Sequence, residues 1–258
     1  MSGLFAQLTE VTGIGQAWLW TATLVFLRVG AAMFLMPAFG DQVVPQRVRL
    51  ILALAFTAVV APAVSGAMAE VQGTLRPAAI EVVTGLALGI GMRLFIFALQ
   101  VAASIVAQVT SLSQLFGGTT PEPQPAIGNL LTVAALALAV LAGLHVKAAS
   151  LLILSYRVLP AGHFPRAADM ADWGLQQIVH SFTLAFALAA PFVIGSVVYN
   201  VALGIINKAM PQLSVTLVGA PALTAASLLL MVVAVPLMLA VWLGGFDAFL
   251  AQPFKVGP

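Results

Sequence analysis

The feature that most constrains the fold is the length of the uncharged apolar runs. No charged residue occurs from Trp173 to Asn207, a run of 35 residues, or from Ala209 to Phe246, a run of 38 residues. Because one helical crossing of a bilayer needs about 20 apolar residues, each run is too long for a single straight span. Pro191 and Pro236 lie inside the runs and are expected to kink or break the helices. The sequence thus leaves open bent helices, tight hairpins, helices covered by protein beyond the lipid, or tilted spans with apolar loops.

The composition predicts a membrane protein. The chain is 62% hydrophobic and only 7% charged, with a mean hydropathy of +1.10. In soluble domains about a quarter of the residues are charged. A chain with so few charges cannot cover its surface against water, so lipid or other apolar helices must cover it. The net charge of +2 is spread along the chain. Since there is no basic block, we expect no nucleic-acid partner.

Six apolar elements are predicted, all of them helical because a helix pairs its own backbone groups inside the bilayer. Glu10 is the only charged residue before Arg28, so the basic region of a cleavable signal is missing and we expect the first element to be retained. We predict an all-α membrane protein with a single domain over residues 1–258. The elements run over about Ala17–Phe39, Leu50–Ala69, Ala78–Val109, Ala126–Leu159, Trp173–Asn207 and Val215–Leu250. Lysine and arginine divide four to three between the two sides of a six-span topology, which leaves the orientation undecided.

Three charged residues lie within the apolar elements. Arg28 is near the middle of the first element, and Glu81 and Arg93 are in the third. An ionised group at bilayer depth costs from a few to over ten kcal/mol, about as much as the stability of a domain, unless it is paired or hydrated. The functional interpretation is a pore or a subunit contact. The structural interpretation is an intramembrane ion pair, for instance Arg93 with Glu81.

The connection from Thr110 to Pro125 is polar and rich in glycine and proline. It contains the bulky apolar residues Leu112, Leu115 and Phe116, followed by Gly117 and Gly118. A polar backbone between two apolar helices must be hydrated or buried in protein. The segment is therefore either a plug within an aqueous passage or a plain surface loop.

No pattern indicates an enzyme, a metal site or a bound cofactor. The three histidines, His145, His163 and His180, lack the spacing of metal ligands, and nucleotide-binding, hydrolase and metalloprotease motifs are absent. A proton relay would need several acidic or histidine groups at membrane depth, and only Glu81 qualifies. Gly85 and Gly89 form a small-xxx-small pair that favours close helix packing.

Four stretches, in order along the chain, resemble the flagellar export-gate family FliR and its injectisome counterpart SctT. They are Arg28–Gly30 with Met36–Gly40 and Val44–Arg49; Glu81–Arg93 with its glycines; Gly143–His145 with Ser155–Tyr156 and Leu159–Gly162; and Met210–Val215 with Gly219–Pro221. These stretches cover nearly the whole chain.

The resemblance implies a function and a set of partners. FliR-like proteins join FliP- and FliQ-like subunits in a helical assembly of bent hairpins, with FlhB as a neighbour, in the bacterial inner membrane at the flagellar basal body. This assembly is the pore for unfolded export substrates, and the family's pore plug falls here on Leu112–Thr120. The injectisome version is the alternative within the family, although Gly219–Pro221 favours the flagellar one. A six-helix small-solute permease is the alternative from another class.

Overall fold

The computed structural model describes residues 2–41, 43–68, 75–110, 126–209 and 215–254. Within this part of the chain the secondary structure is helical. The helices are α1 (Ser2–Leu35), α2 (Gln46–Met68), α3 (Leu75–Thr110), α4 (Ala126–Leu141), α5 (Leu144–Val158), α6 (Ala167–Ala209) and α7 (Val215–Ala251).

The helices confirm the predicted all-α membrane fold. Five of them are long and apolar enough to cross a membrane, and a sixth span is possible if α4 and α5 form one broken crossing. The apolar part of α1 begins at Trp18, close to the predicted start of the first element. The helix itself begins at Ser2, because polar residues such as Gln7 and Thr12 are compatible with a helix that continues beyond the lipid.

The predicted fourth element, Ala126–Leu159, is two helices rather than one. Helix α4 ends at Leu141, and α5 begins at Leu144 after Gly143, whose backbone is left-handed with φ of 82°. An α-helix cannot continue through that conformation, which glycine adopts without the steric cost that a Cβ would bring.

The two prolines do not interrupt the long helices. Helix α6 continues through Pro191 for 43 residues, and α7 continues through Pro236 for 37 residues. Of the two expected outcomes, a kink or a break, the break therefore does not occur. Membrane helices tolerate proline because neighbouring groups and small local adjustments satisfy the freed carbonyl.

The chain divides into two compact units, and the boundary passes through α3, α6 and α7. The first unit comprises Met1–Arg93, Ala142–Gln177 and Asp247–Pro258, and the second comprises Leu94–Leu141 and Ile178–Phe246. The core of the first unit contains the buried side chains of Leu24, Val29, Met36, Leu88, Met92, Leu144, Leu151 and Leu152.

The core of the second unit is centred on Trp242. Its side chain is fully buried, its ring stacks on Phe246 with centroids 5.1 Å apart, and its indole Nε1 donates to the carbonyl of Phe95 at 2.8 Å. The Ser181 hydroxyl donates to the carbonyl of Leu94 at 2.8 Å. Helices α3, α6 and α7 are thus joined by polar contacts as well as by apolar packing, which matters where lipid offers no hydrophobic force between helices.

Candidate functional site: a buried ionic cluster

The most polar point inside the first unit is an ion pair between α1 and α3. Arg28 and Glu81 are both fully buried. Arg28 Nε donates to Glu81 Oε2 at 2.6 Å, and Arg28 Nη2 donates to Glu81 Oε1 at 3.1 Å. This two-point geometry matches the planar guanidinium to the carboxylate, which is the strongest pairing the two groups can form.

Helix α5 completes the surroundings of this pair. The Tyr156 hydroxyl donates to Glu81 Oε2 at 3.0 Å, and the Tyr156 ring centroid lies 3.6 Å from Arg28 Cζ. Arg28 Nη1 donates to Ser155 Oγ at 3.0 Å, and Arg28 Nη2 donates to the carbonyl of Leu159 at 3.0 Å. The guanidinium therefore has a carboxylate partner, an aromatic ring against its face and two further hydrogen-bond acceptors. Together these contacts offset the cost of removing its charge from water.

Close packing of α1 on α3 brings the two charges together. A Cβ on Gly85 would collide with the carbonyl oxygen of Arg28, and a Cβ on Gly89 would lie 2.8 Å from the carbonyl oxygen of Ala32. Both glycines are buried. The small-xxx-small pair thus lets the two backbones approach closely, as its spacing predicts.

The structure pairs Glu81 with Arg28 and not with Arg93, so the suggested Arg93–Glu81 pair is wrong. Residues 81 and 93 are twelve positions apart on α3, which separates them by about 18 Å along the helix axis. Arg93 Nη1 instead donates to Asp41 Oδ1 at 2.9 Å, with both side chains a little under one-third exposed. Asp41 follows the turn after α1, and sequence reasoning did not select it.

A third ion pair was also missed from the sequence. Lys147 Nζ donates to Asp247 Oδ1 at 2.7 Å, and about a third of each side chain is exposed. The two residues come from α5 and the last part of α7, 100 positions apart. Their only signal in the sequence is that each is a lone charge beside an apolar run.

The chemistry of the cluster is structural. Glu81 accepts two hydrogen bonds from Arg28 and one from Tyr156. The described residues contain no group of three or more histidine, cysteine or acidic side chains placed to hold a metal. The arrangement fixes α1, α3 and α5 against one another.

The predicted plug residues, Leu112, Leu115, Phe116, Gly117 and Gly118, lie outside the residues that the structure describes. The described chain reaches Thr110 at the end of α3 and resumes at Ala126. The plug therefore stays a prediction from the sequence.

Comparison with known proteins identifies the family. The family model described as bacterial export proteins, family 1, matches residues 19–249. The chain is similar to the flagellar biosynthetic protein FliR of Caulobacter vibrioides, with 34% identity over 209 residues that cover 78% of this chain and 83% of the relative. It is also similar to FliR of Escherichia coli, at 28% identity over 86% of this chain and 88% of the relative. FliR of Aquifex aeolicus is 25% identical over 92% of each chain. This chain therefore belongs to bacterial export protein family 1.

Proposed function

We propose that the chain is a non-enzymatic subunit of the flagellar protein export gate. In this proposal it lies in the bacterial inner membrane at the flagellar basal body and forms, with FliP- and FliQ-like subunits, the pore through which unfolded export substrates enter. The family match and the flagellar names of its relatives support this assignment over the injectisome version. Energy for export would come from other components, since the sequence has no nucleotide-binding motif.

The observation that carries the proposal is the length of the apolar surface on α6. Exposed large apolar side chains recur from Ile178 to Ile206, both of which are more than 40% exposed. This stretch is about 42 Å long in a straight helix, against a hydrocarbon core of about 30 Å. Fitting it into lipid alone would need a tilt of about 44°, beyond the range of about 0–40° seen in membrane helices. Other protein subunits would cover the remainder, as an assembled gate requires.

A copurification experiment tests the assembly. The tagged chain, expressed with its neighbouring flagellar genes, is extracted in mild detergent and its copurifying chains are identified by mass spectrometry. We expect FliP- and FliQ-like chains in a single complex, with an FlhB-like chain as a weaker neighbour. A chain that purifies alone and binds a small solute would contradict the proposal and favour a permease.

The plug is the second part of the proposal. The apolar side chains of Leu112, Leu115 and Phe116 would occlude the pore at rest, while Gly117 and Gly118 would provide the freedom to move aside for substrate. Replacing the three bulky residues by alanine should make the assembled gate leak ions, measured as conductance in membranes carrying the complex. The matched control replaces Leu130, Val133 and Leu141, which are exposed on α4, by alanine. Equal conductance in both triple variants would contradict the plug.

A further inference from the structure

A groove on the first unit runs between α1 and α2. Phe26, Met33 and Phe34 line it from α1, and Leu50 and Ala53 line it from α2. Its volume is about 290 Å³. Met33 and Ala53 are buried at its floor, whereas Phe34 and Leu50 are exposed at its rim. The groove is therefore an apolar cleft that is open along the sides of two apolar helices.

One end of the groove is cationic. Gln46 and Arg49, in the first turn of α2, complete its lining. Arg49 Nε donates to the carbonyl of Val44 at 3.0 Å, which fixes the guanidinium. Within the described residues its two Nη atoms have no hydrogen bond or ion pair. Arg47 in the same helical turn is also exposed, although it does not line the groove, and the N-terminus of α2 adds a partial positive charge.

The helix ends place the cationic end of the groove at the membrane surface. The apolar spans of α1 and α2 are Trp18–Leu35 and Gln46–Gly66. Only ten residues connect Leu35 to Gln46, so these two ends lie on the same side of the bilayer. In a bilayer that holds these two spans, the apolar cleft would follow the hydrocarbon layer and Arg49, in the first turn of its span, would face the lipid headgroups.

We propose that this groove binds an anionic phospholipid. One acyl chain lies in the apolar cleft, and the headgroup phosphate accepts hydrogen bonds from the Arg49 Nη atoms and the Gln46 amide. A guanidinium is suited to a phosphate because it offers two parallel donors, and basic pockets between membrane helices take anionic headgroups.

Two variants separate the headgroup from the acyl chain. Arg49→Gln removes the cation. Gly30→Leu fills the cleft, because Gly30 lines it and a Cβ there would have no heavy atom within 4 Å. The matched controls are Gly66→Leu on α2, where a Cβ also has open space, and Arg76→Gln, which removes an exposed arginine outside the groove.

Native mass spectrometry of the full chain in detergent measures the binding. The probes are phosphatidylglycerol and phosphatidylcholine with identical acyl chains. We expect the parent chain to retain bound phosphatidylglycerol. Arg49→Gln and Gly30→Leu should each retain at least about fivefold less of this lipid, and both controls should retain as much as the parent chain. Equal retention of the two lipids, or equal losses in all four variants, would overturn the proposal. So would displacement of phosphatidylglycerol by millimolar inorganic phosphate, because the acyl chain would then contribute nothing.

A crosslinking experiment tests the occupant in the cell. A photoreactive phenylalanine analogue replaces Phe34 at the rim of the groove, and the chain is irradiated in intact membranes. We expect an adduct whose added mass is that of a phospholipid. An adduct with another protein chain would show that a subunit covers the groove, and would refute lipid as its occupant.

Discussion

Glu81→Gln tests whether the buried pair stabilises the fold as its geometry indicates. Glutamine keeps the size of the side chain but replaces one carboxylate oxygen with an amide donor. In the parent chain both carboxylate oxygens accept from Arg28, at 2.6 and 3.1 Å. The variant loses one of these bonds and the negative charge, while Arg28 stays fully buried with its positive charge.

The expected loss is about 3–5 kcal/mol of unfolding free energy, the usual cost of removing one partner from a buried ion pair. The lost hydrogen bond to the charged guanidinium contributes about 1.5–3 kcal/mol of this loss. The remainder is the cost of leaving the Arg28 charge buried without its counter-ion. Because about 1.4 kcal/mol is a factor of ten, the folded fraction should fall relative to the unfolded fraction by at least a hundredfold.

The assay is unfolding of the full chain by sodium dodecyl sulfate in mixed micelles, followed by circular dichroism and tryptophan fluorescence. The comparison variant is Asp169→Asn, which breaks the Arg166–Asp169 pair at 3.5 Å. Those two side chains are 84% and 62% exposed and Asp169 lies in the first turn of α6, so a loss of at most about 1 kcal/mol is expected.

The double variant Arg28→Met with Glu81→Gln distinguishes an unpaired charge from a general packing defect. It removes both charges and keeps an acceptor for the Tyr156 hydroxyl, so it should be more stable than Glu81→Gln alone. A double variant whose loss equals the sum of the two single losses would refute the reasoning. A loss in Glu81→Gln no larger than that of Asp169→Asn would refute it too.

Two further changes probe the helix packing. Gly85→Ala should lower the unfolding free energy by about 1–3 kcal/mol or more in the same assay, because its Cβ would collide with the Arg28 carbonyl. The control Gly174→Ala, where a Cβ meets open space, should be neutral or slightly stabilising. Equal effects of the two substitutions would count against close approach of α1 and α3. Trp242→Phe removes the buried donor to the Phe95 carbonyl and should lower the unfolding free energy by at least about 1–3 kcal/mol. Trp18→Phe, at a half-exposed position, should change it little. Similar unfolding transitions in both variants would refute a stabilising role for the Trp242 hydrogen bond.

The helical elements could be predicted because the bilayer leaves an apolar chain few choices. Apolar runs longer than a span must be helical, so each predicted element lies largely within described helices. The break at Gly143 could not be found the same way, since apolar residues continue on both sides of it. Its left-handed backbone is a local conformation of one residue, which hydropathy does not report.

The sequence predicts which charged residues need a partner inside the membrane, but not which partner each one finds. A charge within a membrane helix must find a partner, and Arg28, Glu81 and Arg93 were identified on that ground. Which charges meet depends on how the helices approach, and Gly85 at the contact of α1 with α3 decides that. Tyr156, 75 positions from Glu81, contributes to the same cluster through α5.

The buried cluster also has a consequence for the order in which the chain is made and inserted. Arg28 leaves the ribosome 53 residues ahead of Glu81 and 127 residues ahead of Ser155. At about 5–20 residues per second, the arginine waits about 3–10 s for its carboxylate. During that interval α1 carries an uncompensated charge, so it must rest at the bilayer surface, beside water, or against the insertion machinery. Stable insertion of the first helix is thereby linked to synthesis of the third.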